Sequence, residues 1–218
     1  MGPVASPYTG YGSSGFLLTS GAGRTSAEYG RGSIIYAQGD VASTVFLVQQ
    51  GRIVLNIVSP CGKEAIVGMA GPGEFFGEGC IFEETRRTSS AVALERSLLL
   101  RFEKQDLKYV LRHSSDFCET FLYRLLRQKK ELEEALADQL FSSSERRLAR
   151  ILLILSRDAT GTDLPSIPRL SQTTLAAMVG TTRSRISYFL GQFRKLGLIA
   201  STPEIRVNRA RIADMLRG

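Results

Sequence analysis

Tryptophan is absent from the 218 residues, histidine occurs once (His113), and cysteine occurs three times, at 61, 80 and 118. One histidine cannot build a His-rich metal site, and no nucleophile–base–acid set is spaced for catalysis, so neither a metal nor an enzymatic reaction is expected. The three cysteines contain no C-x-x-C pair and no even disulfide set. They also fall one short of the four ligands of an iron–sulfur cluster. Long apolar runs are missing: nothing approaches the ~18 residues of a membrane span, and Phe16-Leu17-Leu18 is too short for a secretory core. The expectation is a reduced, cytoplasmic protein without a membrane partner.

Positive charge is present, and unevenly. Residues 142–218 hold 13 Lys and Arg against 5 Asp and Glu, whereas residues 1–141 hold 15 against 16. The whole net charge of +7 therefore comes from the C-terminal third, as expected of a segment that meets nucleic acid.

The texture changes along the chain in the same way. Residues 1–30 are rich in Gly, Ser, Thr and Tyr without periodicity, which predicts a flexible tail. From Ser33 short β-branched and aromatic runs alternate with turns at Gly39-Asp40, Gln50-Gly51, Cys61-Gly62 and Gly71-Pro72-Gly73, the pattern of a small β-sandwich or roll over residues 31–115. Past Glu103 no glycine recurs until Gly161. Phe117, Phe121, Leu125, Leu132, Leu136 and Gln139 mark one face of a helix over 116–141, about 37 Å long from Phe117 to Phe141 at ~1.5 Å per residue. A half-apolar helix of that length predicts a parallel dimer seam. The triple serine 142–144 is the hinge, with Ser143 or Ser144 capping the next helix.

"SQTTLAAMVGTTRSRISYFLGQFRKLGLI", residues 171–199, has helix-turn-helix spacing. Ser171 caps a short helix to Val179, and Gly180 supplies a left-handed turn. Thr181 or Thr182 then caps a second helix to about Lys195. Ala176 allows a close crossing, and Ile186 and Phe189 return the second helix to the core. Thr182, Arg183, Ser184, Arg185, Ser187 and Tyr188 are left facing outward as candidate DNA contacts, since an arginine can pair bidentately with guanine. "LIASTPEIRVNRARI" offers two short strands around Pro203, a wing beside that helix.

"FFGEGCIF", residues 75–82, raises a different chemistry. Nine positions after Glu78 comes Arg87, followed by Thr88-Ser89-Ser90. Glycine at 77 lets backbone approach a ligand, and the amides of Glu78, Gly79 and Cys80 open a helical turn that attracts an anion. Glu78 can accept from a ribose hydroxyl and Arg87 can neutralise a phosphate. A simple Glu78–Arg87 ion pair is the alternative.

The order of parts resembles the CRP/FNR family of bacterial transcription regulators across residues 30–218. "GDVASTVFLVQQGRIVL" is similar to the family's roll motif, and "FFGEGCIF" with Arg87 resembles the phosphate-binding cassette of cyclic-nucleotide-binding domains. The resemblance implies an α+β protein with a cyclic-nucleotide-binding β-roll, a dimerisation helix, and a winged helix-turn-helix domain over 142–218. It implies a homodimer that binds double-stranded DNA under control of cAMP or cGMP, with RNA polymerase as a further partner. Gly77, Glu78, Gly79, Cys80, Arg87 and Thr88 would form the nucleotide site. Thr88 directly after the arginine resembles cGMP-preferring kinases and channels. Leu132-Glu133 stands where cAMP-activated members carry Thr-Ser, Arg183-Ser184 replaces the family's Arg-Glu pair, and Tyr188 replaces a later arginine. Base recognition and target sequence therefore do not carry over. Two other readings stay open on the sequence: a DNA-binding dimer whose roll is purely structural, and a sensor using haem or thiols, although His113 reads as a helix-terminal residue and Cys80 as a small pocket residue.

Overall fold

The structure, a computed structural model, describes residues 24–62, 64–82, 85–156, 164–201 and 204–217. The chain divides into two compact units, Met1–Leu132 and Glu133–Gly218, with the division inside the long helix.

The first unit is a β-roll. Strands β1 (Arg24–Tyr29), β8 (Ser97–Glu103), β3 (Thr44–Gln50) and β6 (Phe75–Phe76) form one antiparallel sheet in that order. Strands β2 (Ile34–Tyr36), β7 (Ser90–Ala93), β4 (Ile53–Val58) and β5 (Glu64–Ala70) form the second. Phe46, Val48, Ile53, Phe76, Ala91, Ala93 and Leu99 form one buried cluster of the roll. Residues 24–29 correct the expected tail of residues 1–30. "RTSAEY" has no apolar run to announce a strand, yet its backbone pairs residue by residue with β8, from Arg24 opposite Phe102 to Tyr29 opposite Ser97. Residues 1–23 lie outside the described residues.

Helix α1 (Lys104–His113) and helix α2 (Ser115–Phe141) follow. Phe117 and Phe121 are buried against Phe75, Leu100 and Phe102, with Leu125 partly buried beside them. Phe121 meets Phe75 edge-on at 4.7 Å. Burying each such ring contributes roughly 1.5–3 kcal/mol, which fixes the start of α2 on the strand that leads into Gly77. Three polar contacts continue this attachment. Arg124 donates to Gly73 O, Gln128 Nε2 donates to Phe75 O at 2.7 Å, and Arg127 pairs with Glu74 at 3.2 Å.

The seam expected on α2 is thereby split. Phe117, Phe121 and Leu125 serve the roll, whereas Leu122, Leu126, Leu136 and Leu140 are exposed. With Lys129 and Glu133, these leucines follow alternating four- and three-residue steps along one line of the helix. The two apolar faces lie about 100° apart, and a three/four spacing rule alone does not separate them. Leu132 is exposed beside this line, and Gln139 is also exposed.

The second unit carries α3 (Ser144–Leu155), α4 (Gln172–Val179), α5 (Arg183–Lys195), the antiparallel hairpin β9 (Ile199–Ser201) and β10 (Ile205–Val207), and α6 (Arg209–Arg217). Its core joins Leu148, Leu152, Leu175, Val179, Ile186, Phe193, Val207 and Ile212, all fully buried. The helix starts are capped as their hydroxyl residues suggest: Ser143 accepts from Arg146 N, Ser171 from Thr174 N, and Thr182 from Arg185 N. The hairpin's turn at Thr202-Pro203 lies outside the described residues. Helix α6 has no glycine or proline at its start. Asn208 starts it by accepting from Arg211 N through its side chain.

Candidate functional site

Two groups of residues concentrate chemistry, one in each unit. In the roll, the Gly39-Asp40 turn fixes the backbone of Arg87 directly. Gly39 N donates to Arg87 O, and Arg87 N donates to Asp40 O, both at 2.8 Å. Asp40 closes its own turn by accepting from Ala37 N at 2.8 Å. The Gly-Asp pair and the arginine, 47 residues apart in sequence, are thus one local structure.

Gly77 has a left-handed backbone, φ 76°, and precedes a single helical turn, Glu78–Ile81. A Cβ built there would sit 2.6 Å from Arg87 Nη1, so both the conformation and the space require glycine. The Arg87 side chain is buried. Nη2 donates to Thr44 O at 2.6 Å and to Thr44 Oγ1 at 2.8 Å, while Nη1 donates to Gly77 O at 3.0 Å. Its guanidinium carbon lies 4.1 Å from the centroid of the Tyr36 ring. Arg87 Nε is buried without a hydrogen-bond partner. A buried donor left unmatched costs ~1–3 kcal/mol, more on a charged group, so an anionic acceptor is the chemistry that completes this arrangement. A cyclic phosphate fits that requirement.

The other expected residues of this group are placed unevenly. Glu78 and Gly79 are half-buried at the helical turn, beside Gly77. Cys80 is buried, its thiol donating to Thr44 O at 3.6 Å, and burial pushes that thiol's pKa up. Thr88 is exposed. Sequence reasoning passed over Thr44 and Tyr36. Both lie more than 40 residues from Arg87, in a strand-rich stretch where neither stands out. Burial pushes the Tyr36 phenol up to about 12, against the opposing pull of Arg87 and of a hydrogen bond with the Ser89 side chain.

In the second unit, Gly180 turns the chain with φ 69° between α4 and α5. Ala176, Ile186 and Phe189 are buried at the crossing. Thr182, Arg183, Ser184, Arg185, Ser187 and Tyr188 are all exposed; Thr182 is the N-cap of α5 and the other five lie in its first two turns. The Thr182 hydroxyl lies 3.0 Å from that of Ser184, and Arg185 reaches back over the Phe189 ring at 5.7 Å. One residue was missed here as well. Arg147, at the start of α3, donates from Nε to Val179 O at 2.9 Å and from Nη1 to Ser142 O at 2.7 Å. It therefore ties the end of the first helix of the pair to the serine hinge.

His113 ends α1 with its ring stacked on Tyr109 at 4.1 Å. Among the described residues no group of three or more His, Cys, Asp or Glu is placed to hold a metal ion, and no helix is long and apolar enough to cross a membrane.

Comparison with known proteins agrees with this division. Residues 26–114 match the cyclic nucleotide-binding domain family, and residues 146–215 match the Crp-like helix-turn-helix domain family. The chain is 30% identical over 175 residues to the cyclic AMP receptor protein of Thermus thermophilus, covering 80% of this chain and 79% of the relative. It is 26% identical to a CRP-like cAMP-activated global transcriptional regulator of Mycobacterium tuberculosis, covering 79% and 78%. In fold it is similar to FixK2 from Bradyrhizobium japonicum, with a TM-score of 0.76 at 18% identity over 88% of this chain and 96% of the other.

Proposed function

The chain belongs to the CRP/FNR family of transcription regulators, with a cyclic-nucleotide-binding domain and a helix-turn-helix domain, and on that premise we propose that it is a cyclic-nucleotide-gated homodimer. Its family consists of regulators of transcription rather than enzymes. In this reading the roll binds a cyclic purine nucleotide, and the ligand controls binding of the paired α5 helices to a palindromic DNA site. The buried Arg87 with its unmatched Nε, above the left-handed Gly77, carries the proposal.

Each residue has a role in this reading. Arg87 neutralises the cyclic phosphate, the amides of Glu78, Gly79 and Cys80 approach it, and Glu78 accepts from the ribose hydroxyl. The names of the two curated relatives support cAMP as the ligand. Thr88 is exposed, free to offer its hydroxyl to a guanine, which keeps cGMP as the comparison ligand. Thr182, Arg183, Ser184, Arg185, Ser187 and Tyr188 face the major groove, and the β9–β10 hairpin is a wing on the adjacent backbone. The exposed leucine line of α2 is the dimer seam. Such a regulator works in the cytoplasm, where DNA and RNA polymerase are its partners.

Calorimetry of the purified protein with cAMP and with cGMP tests the gating, alongside DNA binding with and without each nucleotide. Heat with cAMP and at least tenfold tighter DNA binding in its presence are expected. DNA binding that is unaffected by either nucleotide, with no heat from either, would hand the case to a purely structural roll.

A further inference from the structure

We propose that Tyr36 is a positioning residue for the anion site: its ring face holds the Arg87 guanidinium in the orientation that leaves Nε–H for a phosphate oxygen. This rests on the phosphate reading of Arg87.

The three hydrogen bonds of the guanidinium, to Thr44 O, Thr44 Oγ1 and Gly77 O, all involve its Nη atoms. They consume both Nη2 protons and one on Nη1. Such bonds lie near the guanidinium plane, so they resist rotation within that plane and leave tilt out of it weakly restrained. The face of an aromatic ring supplies the missing restraint. A cation over a ring is drawn to the negative face of the π-system, an attraction that grows when water is excluded. Arg87 Cζ sits 4.1 Å from the Tyr36 centroid, with Phe46 at 5.9 Å behind it. An aliphatic side chain of similar size would fill the volume without that attraction.

Tyr36 is itself held on every side. It is 9% exposed, its ring lies 6.0 Å from both Phe46 and Phe76, and its backbone pairs with Ala91. Its hydroxyl bonds to Ser89, two residues beyond Arg87. Ring and hydroxyl thus both touch the segment that carries the arginine. A core position among phenylalanines would be filled more simply by another apolar residue, because a buried phenol needs a partner. Here the partner belongs to the site.

The test is a double-mutant cycle with a spectroscopic readout. Nucleotide affinity is measured for the wild type, Tyr36→Phe, Tyr36→Met, Arg87→Ala and Tyr36→Met/Arg87→Ala. Tyr36→Phe keeps the ring face and should bind within about threefold of wild type. Tyr36→Met should bind about tenfold more weakly. In the Arg87→Ala background Tyr36→Met should have no further effect, since it acts through the arginine. In ligand-free protein, the Arg87 Nε–H NMR resonance, assigned by its loss in Arg87→Ala, should be shifted upfield by the Tyr36 ring. That shift should persist in Tyr36→Phe and vanish in Tyr36→Met. Equal weakening by Tyr36→Met with and without Arg87, or an Nε–H resonance indifferent to Tyr36→Met, overturns the positioning role. Wild-type affinity in Arg87→Ala overturns the phosphate reading instead, and the resonance then still decides what Tyr36 does to the arginine. Should Tyr36→Met not fold, Tyr36→Leu supplies the same comparison.

Discussion

Gly77, Thr44, Tyr36 and Arg87 form a single cluster in which each residue restricts the next. Glycine admits the guanidinium to its carbonyl, threonine takes both protons of Nη2, and the phenol ring lies beneath. The burial that lets Tyr36 support the cation also opposes its own ionisation, so its pKa of about 12 lies above the unfolded value of 10.0. A raised folded pKa contributes stability that is complete below about pH 10 and is lost as pH climbs through 12. The wild type should accordingly lose stability between pH 10 and 12 that Tyr36→Phe retains, by about 2 kcal/mol at the upper end. Melting temperatures of the two proteins against pH check this, and parallel curves would show that folding does not raise the Tyr36 pKa. Half of this cluster was legible in the sequence. Gly77, Glu78 and Arg87 sit within eleven residues, where spacing carries the chemistry. Thr44 and Tyr36 join through sheet pairing, and their types are ordinary for strands.

Helix α2 shows the same limit one level up. Its length and apolar content were readable from the missing glycines, but its two apolar faces were not separable by spacing, since 121–125 and 122–126 follow the same step. Only contact with Phe75 and Phe102 decides which leucine belongs to the roll. The consequence is a pair of neighbouring substitutions with opposite effects. Leu126→Glu, on the exposed line, should leave the monomer's melting temperature within a few degrees and weaken dimerisation about a hundredfold or more, because like charges meet across the seam. Leu125→Glu, half-buried on the roll core, should instead destabilise the first unit by about 2–4 kcal/mol. Sedimentation and thermal melts of both variants separate the two effects. A dimer that survives Leu126→Glu intact would remove the leucine line from the interface. Strand β1 and helix α6 were missed for a related reason. One owes its state to pairing with β8 and the other to burial of Ile212 behind the Asn208 cap, and neither the pairing nor the burial is local.

Across the whole chain, charge is divided more sharply than fold. The segment 142–218 carries eight more positive than negative side chains, while residues 1–141 are nearly balanced. Phosphate neutralisation should therefore come almost entirely from the second unit, with affinity falling linearly in log–log form as salt rises. Within that unit, two arginines two residues apart should act differently. Arg183 is the first residue of α5, where a recognition helix presents side chains to base edges. Arg185 lies over Phe189, with its backbone N–H taken by the Thr182 cap, a geometry that points its charge along the helix flank. Arg183→Ala should then relax preference at one base pair per half-site by about 1–3 kcal/mol. Arg185→Ala should weaken specific and random DNA alike and reduce the salt slope by about 0.9 per subunit. Binding measured on a palindrome and on random duplex at four salt concentrations distinguishes the roles. If Arg183→Ala lost the same factor on both duplexes, Arg183 would be a backbone contact, and the choice of base would pass to Ser184, Ser187 or Tyr188 on the same exposed face.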